Sequence, residues 1–262
     1  MKKISLNVFK NGADHVLTFS YDDGKINDIR LAELFLKYNC KGTFNLNSSN
    51  IGKDGYISKE QVKKLSDSGM EIAVHAVTHP WLETLPDSVV FAEIFNDRIA
   101  LEEMTGKVIN GMAYPFGTFS DKVKSIAKSA GIDYARTTKS DFTMIPSDFL
   151  EWATTCHHKN LGAFIDKFDA VKWRGYIIYV WGHSYEFNTE EDWQTFEDNI
   201  KFFTNKPDYW YATNGEIYEY VTAQRSLKFS ADLTKVYNPS AISVYIKVDD
   251  VKKEILPGLN IL

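Results

Sequence analysis

The sequence has little of three features that would place it in a specialised class of protein. Two cysteines, Cys40 and Cys156, are too few for a disulfide framework, and neither belongs to a CxxC pair. No run of about 18 apolar residues occurs, so no membrane-spanning helix is expected. Lysine and arginine number 30 against 35 aspartate and glutamate residues, for a formal net charge of −5. A surface with this balance is unsuited to neutralising phosphates, so nucleic acid is not an expected partner.

The N-terminus lacks the apolar segment of a signal peptide. Met1, Lys2 and Lys3 resemble a positively charged start, but serine, asparagine, lysine and glycine interrupt the residues up to Asp14. We therefore expect a cytoplasmic protein that does not bind membranes. The composition, 44% hydrophobic and 25% charged, is typical of a soluble globular chain, and 262 residues suit one main domain.

Short apolar segments alternate with segments of helical periodicity over most of the chain. The predicted strands are residues 16–20, 43–46, 70–74, 109–114, 132–135, 176–181 and 209–212. Amphipathic segments lie between them, the clearest at 87–104, 161–173 and 190–203. This alternation predicts an α/β fold with a mainly parallel sheet covered by helices. Because GxGxxG and P-loop motifs are missing, we expect a distorted (β/α) barrel of about seven or eight units rather than an open sheet.

The alternation stops near Arg225. Residues 243–248 alternate with a period of two, and turn sequences occur at Asn238-Pro239 and Pro257-Gly258. The sequence therefore predicts a barrel over residues 1–224 and a small C-terminal β extension over 225–262.

Metal-competent or titratable side chains follow three of the predicted strands. They are Asp22 and Asp23, then His75 and His79, and finally His183. In a barrel, the carboxyl ends of the strands form the face at which active sites gather. We therefore expect these side chains to lie together.

Each of the three places also has a simpler explanation. Adjacent carboxylates such as Asp22 and Asp23 repel each other unless a cation or solvent relieves them, but Asp-Asp-Gly is also a common exposed turn. The spacing of His75 and His79 brings both rings to one side of a helical turn, within reach of one ion. The simpler interpretation is a pair of histidines in a loop that form hydrogen bonds with the backbone. His183 is a lone histidine and by itself a weak signal, but as a titratable group separate from the proposed ligands it could protonate a leaving amine.

Three other groups of residues are less specific. A second metal site at Cys156-His157-His158 is disfavoured, because adjacent ligands rarely reach one tetrahedral ion. Asn45 and Asn47 could contact substrate, although local turn hydrogen bonds are the simpler interpretation. Tyr185 and Glu186 are compatible with either packing at the rim or contact with a sugar.

The motifs taken together resemble those of the polysaccharide deacetylases, the NodB-homology group of carbohydrate esterases. Residues 20–23 (Ser-Tyr-Asp-Asp) resemble the family's Thr-Phe-Asp-Asp, and residues 75–79 (His-Ala-Val-Thr-His) resemble His-Ser/Thr-x-x-His. Residues 113–117 (Ala-Tyr-Pro-Phe-Gly) resemble Arg-x-Pro-Tyr/Phe-Gly, and residues 181–183 (Trp-Gly-His) resemble Leu-x-His. The motifs occur in the family's order and span roughly residues 15–220.

The resemblance implies a role for each residue that matches. Asp22 would be the general base, Asp23, His75 and His79 the metal ligands, and His183 the general acid. The arginine of the third motif is replaced by Ala113, and Arg136 either supplies the guanidinium from a neighbouring position or is an ordinary surface arginine. Contacts with substrate or oxyanion, including the backbone N–H of Tyr114 and an aromatic wall at Trp152, fall at Tyr114, Pro115, Phe116, Gly117, Trp152, Trp181 and Arg136.

The predicted function is metal-dependent removal of acetyl groups from N-acetylated sugars. The expected cofactor is a divalent metal, Zn²⁺ first and Co²⁺ or Ni²⁺ as alternatives, and the expected partner is an acetylated carbohydrate. Three other functions remain open: an O-acetyl esterase, a cyclic-amide hydrolase on the same scaffold, and an inactive carbohydrate-binding protein. The sequence does not indicate an oligomeric state.

Overall fold

A computed structural model describes residues 2–170 and 176–262. The described helices are α1 (Asp28–Lys37), α2 (Lys59–Asp67), α3 (Asp87–Thr105), α4 (Asp121–Ser129), α5 (Leu161–Ala170), α6 (Glu190–Phe203) and α7 (Asn214–Arg225). The first nine described strands are β1 (Ile4–Ser5), β2 (His15–Asp22), β3 (Gly42–Leu46), β4 (Glu71–Val74), β5 (Gly111–Ala113), β6 (Tyr134–Arg136), β7 (Cys156–His157), β8 (Ile177–His183) and β9 (Tyr209–Tyr211). The last five are β10 (Lys228–Phe229), β11 (Lys235–Asn238), β12 (Val244–Val248), β13 (Val251–Ile255) and β14 (Gly258–Ile261).

The main sheet is parallel and has the order β6-β5-β4-β3-β2-β8-β7, with β9 paired to the start of β2. The strand β7 pairs with β8 through Cys156 and Val180, and a parallel bridge joins Arg136 of β6 to Trp152, four residues before β7. The two ends of the sheet therefore approach each other through residues 152–157. This arrangement confirms the predicted distorted (β/α) barrel.

Alternation along the strands produces two apolar cores. On β2, Leu17, Phe19 and Tyr21 pack in a cluster with residues of the surrounding helices, whereas Val16 packs with Tyr179 in a second cluster. Neighbouring side chains of a strand point to opposite faces, so one set fills the space between sheet and helices and the other fills the barrel. Polar side chains continue the inner set toward the carboxyl end of the sheet.

The helix boundaries follow local sequence signals. Ser58 and Gln61 form the reciprocal hydrogen bonds of a capping box at the start of α2, as the sequence predicts. The helix predicted at 87–104 is α3, and it ends at Gly106, which adopts a left-handed conformation. The helix predicted at 161–173 begins at Leu161, while its last three residues lie outside the described residues.

The C-terminal strands form two small antiparallel sheets, β1-β12-β13 and β10-β11-β14. The N-terminal strand β1 joins this region through the pair Ile4 and Val248, which the division at residue 225 does not anticipate. Val236 and Ile246 share an apolar cluster with Ile217 of α7, so the extension packs against the barrel. We keep a C-terminal unit over 225–262 as a proposal, with β1 as an added strand. None of the helices in the described part of the chain has the length and apolar character needed to cross a bilayer.

Candidate active site

The predicted catalytic and metal-binding side chains meet at the carboxyl ends of β2, β4 and β8. Asp22 is the last residue of β2 and is the register partner of His183, the last residue of β8. His75 follows β4 directly, and the next loop carries His79. Asp22 Oδ2 lies 3.9 Å from His75 Nε2 and 4.0 Å from His183 Nε2. Asp22 therefore stands between the two histidine groups.

Asp23, His75 and His79 form a group with the spacing of a metal site. Asp23 Oδ1 lies 3.7 Å from His75 Nε2 and 3.9 Å from His79 Nε2. His75 Nδ1 donates to the carbonyl oxygen of Ala113 at 2.8 Å, so Nε2 carries a lone pair, and this buried atom forms no hydrogen bond. Burial lowers the pKa of His75 more than the nearby carboxylates raise it, which favours the neutral imidazole that metals bind. The three residues fit a divalent cation.

The loop that carries the two histidines is not a helical turn. Ala76 and His79 have φ values of 64° and 57°, and Asp23 has a φ of 80°. A left-handed conformation is uncommon for residues other than glycine and costs about 1–3 kcal/mol. The imidazoles of His75 and His79 nevertheless meet, with ring centroids 4.7 Å apart. The two imidazoles therefore lie together as predicted, but the helical turn on which the prediction rested is wrong.

Asp22 is held by Arg136 and Asn45. The Arg136 Nη2 atom donates to Asp22 Oδ2, and Asn45 Nδ2 donates to Asp22 Oδ1 at 2.8 Å. Ala113 is the register partner of Arg136, so this guanidinium arises from the strand beside the position where the family motif has arginine. Burial alone would raise the pKa of Asp22, but Arg136 and the nearby imidazoles outweigh it, and that pKa is lowered. The alternative of a surface arginine is wrong, because Arg136 is 1% exposed.

Two buried polar side chains hold the backbone around His75. Asp97 of α3 accepts hydrogen bonds from the backbone N–H groups of His75 at 3.0 Å and Ser48 at 2.7 Å. Asn47 Nδ2 donates to the carbonyl oxygens of His75 and Ala76 at 2.6 and 2.9 Å. Asn45 and Asn47 therefore support catalytic-site residues, and no substrate contact is needed to explain them.

His183 is oriented by Glu186, three residues further along the chain. The His183 Nδ1 atom lies 3.1 Å from Glu186 Oε2, which leaves Nε2 directed toward Asp22. Burial would lower the pKa of His183, but the hydrogen bond to Glu186 and the charge of Asp22 outweigh it, and that pKa is raised. The protonated form that a general acid needs is thereby favoured.

The Glu186 carboxylate also contacts a second group of side chains. His157 Nε2 lies 2.9 Å and His158 Nε2 3.7 Å from Glu186 Oε2, and Lys159 Nζ lies 2.6 Å from Oε1. Adjacent histidines can therefore converge here, contrary to the sequence argument. Because the carboxylate is already bound by His157, His183 and an ammonium group, we assign this group to positioning Glu186. Burial raises the pKa of Cys156 to about 12, which disfavours the thiolate that a metal would require.

The third motif does not supply the predicted oxyanion donor. The backbone N–H of Tyr114 donates to the carbonyl oxygen of Arg136 at 3.1 Å, and the Tyr114 side chain is buried with its hydroxyl donating to Leu150. This N–H is therefore already used by the sheet, and the prediction for Tyr114 is wrong. Pro115 is also buried, and a side chain at Gly117 would clash with Thr138.

Two tryptophans that were predicted to contact substrate differ in position. Trp152 is 1% exposed and packs edge-on against Tyr134, Phe149 and Tyr179 inside the barrel, so it cannot form the predicted aromatic wall. Trp181 is partly buried and lies under the Arg136 guanidinium, 4.7 Å from its carbon to the ring centroid. Trp181 therefore lies at the candidate site, whereas Trp152 belongs to the core of the barrel.

Sequence reasoning missed two contributors to this region. Asp97 lies in the middle of a helical segment that gives no local signal of its contact with His75. Trp81 follows the His75–His79 motif by two residues, and it stacks on Phe116 at the rim of the ligand group. A signal for Trp81 was present in the sequence, because a tryptophan directly after a predicted ligand motif lies in a loop, where a large aromatic side chain is unusual.

Comparisons with known proteins find polysaccharide deacetylases among the similar sequences and structures. Residues 10–135 match the model of the polysaccharide deacetylase family. A protein of Bacillus subtilis (strain 168) described as a polysaccharide deacetylase is 23% identical over 131 residues, which cover 50% of this chain and 47% of that protein. Chitin deacetylase 2 of Cryptococcus neoformans var. grubii is 29% identical over 113 residues, which cover 43% of this chain and 24% of that protein. The matches thus span less than half the length of these relatives.

Solved structures show the same fold at low sequence identity. A polysaccharide deacetylase structure from Mycobacterium smegmatis has a TM-score of 0.66 and 16% identity, and covers 85% of this chain and 96% of that one. A carbohydrate esterase family 4 pseudoenzyme from Bacillus anthracis has a TM-score of 0.55 and 18% identity, and covers 78% of this chain and 65% of that one. These likenesses establish the fold.

Proposed function

Because this chain belongs to the polysaccharide deacetylase family, we propose that it is a divalent-metal-dependent hydrolase that removes acetyl groups from N-acetylated sugars. One observation carries the proposal. Asp22 lies between the ligand group Asp23, His75 and His79 on one side and His183 on the other, within 4.0 Å of a ring nitrogen on each side. Amide hydrolysis by water is accelerated when an electrophile, a base and an acid all reach the same carbonyl group, and this arrangement offers all three.

Asp22 acts as the general base in this proposal. Its lowered pKa keeps the carboxylate ionised at neutral pH, and Arg136 and Asn45 fix its two oxygens. A divalent cation at Asp23, His75 and His79 would supply Lewis acidity toward the acetyl carbonyl group and toward water. Asp22 Oδ2 then accepts a proton from the water that attacks the acetyl carbon.

His183 acts as the general acid. Its Nδ1 atom is bound to Glu186, so the proton to be transferred resides on Nε2, on the side of Asp22. This proton passes to the sugar nitrogen as the carbon–nitrogen bond breaks, which releases acetate and a free amine. The proximity of Nε2 to Asp22 places the acid and the base on the same small substrate group.

The motif arginine that Ala113 replaces gave a reason to consider an inactive carbohydrate-binding protein. Arg136 now provides a guanidinium to Asp22 from the adjacent strand, which removes that reason. This pairing supports a catalytic assignment over an inactive one.

The test is acetate release from N-acetylglucosamine oligomers and from acetylated xylan. Protein stripped with a chelator is compared with protein reloaded with Zn²⁺, Co²⁺ or Ni²⁺, and metal content is measured in parallel. We expect release from the N-acetylated oligomers only after reloading. Preferred release from xylan would select the O-acetyl esterase, and no release from metal-loaded protein on either substrate would refute a deacetylase.

Glu186→Gln is expected to move the alkaline limb of the pH profile to lower pH. The carboxylate favours the imidazolium form, so its loss lowers the pKa of His183, and the acid is deprotonated at a lower pH. We expect the alkaline limb of kcat/KM to move to lower pH, as measured by a pH profile of acetate release from an N-acetylglucosamine oligomer.

Glu190→Gln is the matched control for this change, because Glu190 begins the next helix and pairs with Arg30 at the surface. The control should reproduce the wild-type profile. A Glu186→Gln profile that coincides with the wild type would show that Glu186 does not set the protonation of His183.

A further inference from the structure

An exposed pair of stacked aromatic rings borders the ligand group. Trp81 and Phe116 lie parallel, with ring centroids 4.1 Å apart and planes inclined by 9°. Phe116 also meets the His79 imidazole edge-on, at 4.6 Å between centroids. Trp81 is 49% exposed, and since Phe116 covers one face of its indole, the opposite face is directed to solvent. Trp81 therefore lies one ring beyond the ring that contacts a ligand of the metal group.

The loops that carry these rings are fixed to each other. Thr118 Oγ1 donates to Glu83 Oε2 at 2.5 Å, which joins the segment after Phe116 to the segment after Trp81. Thr84 Oγ1 donates to the carbonyl oxygen of Trp81 at 2.7 Å. The pair is thus a preformed surface, which loses little conformational entropy when a ligand binds.

Backbone strain is concentrated at the same place. Phe116 has a φ of 60°, a left-handed conformation that is an outlier for a bulky residue, and His79 has a φ of 57°. Such conformations persist where the surroundings enforce them and cluster at functional sites. Here the strained residues are the two whose rings connect the ligand group to Trp81.

Exposed aromatic surface also occurs on the other side of Asp22. Tyr185 is 43% exposed, and its ring centroid lies 5.1 Å from that of His183. Trp81 and Phe116 follow β4 and β5, whereas Tyr185 follows β8, and the order of the sheet places β3 and β2 between them. Aromatic side chains therefore extend from the reacting centre in two directions.

On the basis of the proposed function, we propose that Trp81 is a specificity-determining residue that stacks on the sugar next to the one that is deacetylated. Sugar rings present flat apolar C–H faces that pack on aromatic rings, and the neutral pair of Trp81 and Phe116 suits an uncharged saccharide. Because Trp81 lies one ring beyond the ring that contacts His79, we expect an oligosaccharide to gain more from Trp81 than a monosaccharide or a small cyclic amide bound at the ligand group. The favoured substrate is therefore an oligosaccharide of N-acetylated sugars.

The test compares wild-type protein with Trp81→Ala, Trp81→Tyr and Phe95→Ala on the dimer, tetramer and hexamer of N-acetylglucosamine. Phe95 is an exposed aromatic residue on α3, which makes it a matched control for loss of surface aromatic area. We expect Trp81→Ala to raise KM for tetramer and hexamer about tenfold, the equivalent of about 1.4 kcal/mol, with a smaller change for the dimer and little change in kcat. Trp81→Tyr, which keeps a ring, should recover most of the loss, and Phe95→Ala should match the wild type.

A binding measurement separates this proposal from the proposed function. Chelated wild-type and Trp81→Ala proteins are run in native gels that contain glycol chitin, and their retardation is compared. Weaker retardation of Trp81→Ala would support the stacking role. It would do so even if wild-type protein released no acetate with any metal, a result that would by itself reject the proposed activity. Equal retardation together with equal KM values in an active enzyme would overturn the stacking role and leave the activity in place.

Discussion

Replacing Asp22 with asparagine is expected to lower kcat by about 10²- to 10⁴-fold, the range typical of a general base. Asparagine keeps the shape of the side chain but cannot accept the proton of the attacking water. Asp23, His75 and His79 are unchanged by this substitution, so metal binding should persist. Acetate release and metal content, measured on the same preparation, check both parts of the prediction.

The control for this substitution is Asp54→Asn, which neutralises an exposed carboxylate in the turn before α2. Asp54→Asn should retain wild-type kcat. Thermal unfolding of both variants shows whether the loss of activity comes from chemistry, because Asp22→Asn also deprives the buried Arg136 of its charged partner. A folded, metal-loaded Asp22→Asn protein with near-normal kcat would show that another group removes the proton.

The alternation of apolar strands and amphipathic helices predicted the α/β fold, and the lack of GxGxxG and P-loop motifs favoured a barrel over an open sheet. The spacing of apolar residues is a local feature of the chain, so the apolar residues of β2 and the apolar face of α1 are visible in the sequence. Barrel closure was less accessible, because residues 152–157 bridge the sheet with only one to two paired residues at each side. The N-terminal strand β1 was missed because it has two residues and pairs with β12, more than two hundred residues away.

The metal-ligand group was predictable for a different reason. Its residues fall at the ends of apolar strands, and their order matches a family pattern, so neither signal depends on detailed geometry. The roles of Tyr114 and Trp152 depended on geometry and were wrong. The first required knowing that its N–H is bonded to Arg136, and the second that its ring points into the barrel. Such facts arise from strand register, which a motif does not encode.

Arg136→Ala is expected to lower kcat/KM by about 10²-fold and to destabilise the fold by about 3–5 kcal/mol, as when one partner of a buried ion pair is removed. The side chains of Arg136 and Asp22 are 1% and 4% exposed, so solvent cannot replace the lost partner. Without the guanidinium, burial raises the pKa of Asp22, and the base ionises at a higher pH. The acid limb of kcat/KM should therefore move to higher pH, which a pH profile and a denaturant titration would measure.

The decisive version of this experiment moves the arginine to the position that the family motif specifies. Ala113 and Arg136 are register partners on adjacent parallel strands, so Ala113→Arg combined with Arg136→Ala exchanges their side chains across one strand spacing. We expect the double variant to recover much of the activity that Arg136→Ala loses, because the guanidinium can again reach Asp22. Arg98→Ala, which removes an arginine paired with Glu102 on α3, controls for the loss of positive charge. If Arg136→Ala keeps normal activity and pH dependence, the guanidinium does not tune the base, and Ala113 in the motif needs no compensation. If Arg136→Ala is inactive and the double variant is active, a guanidinium from either of the two adjacent strands can support the base Asp22.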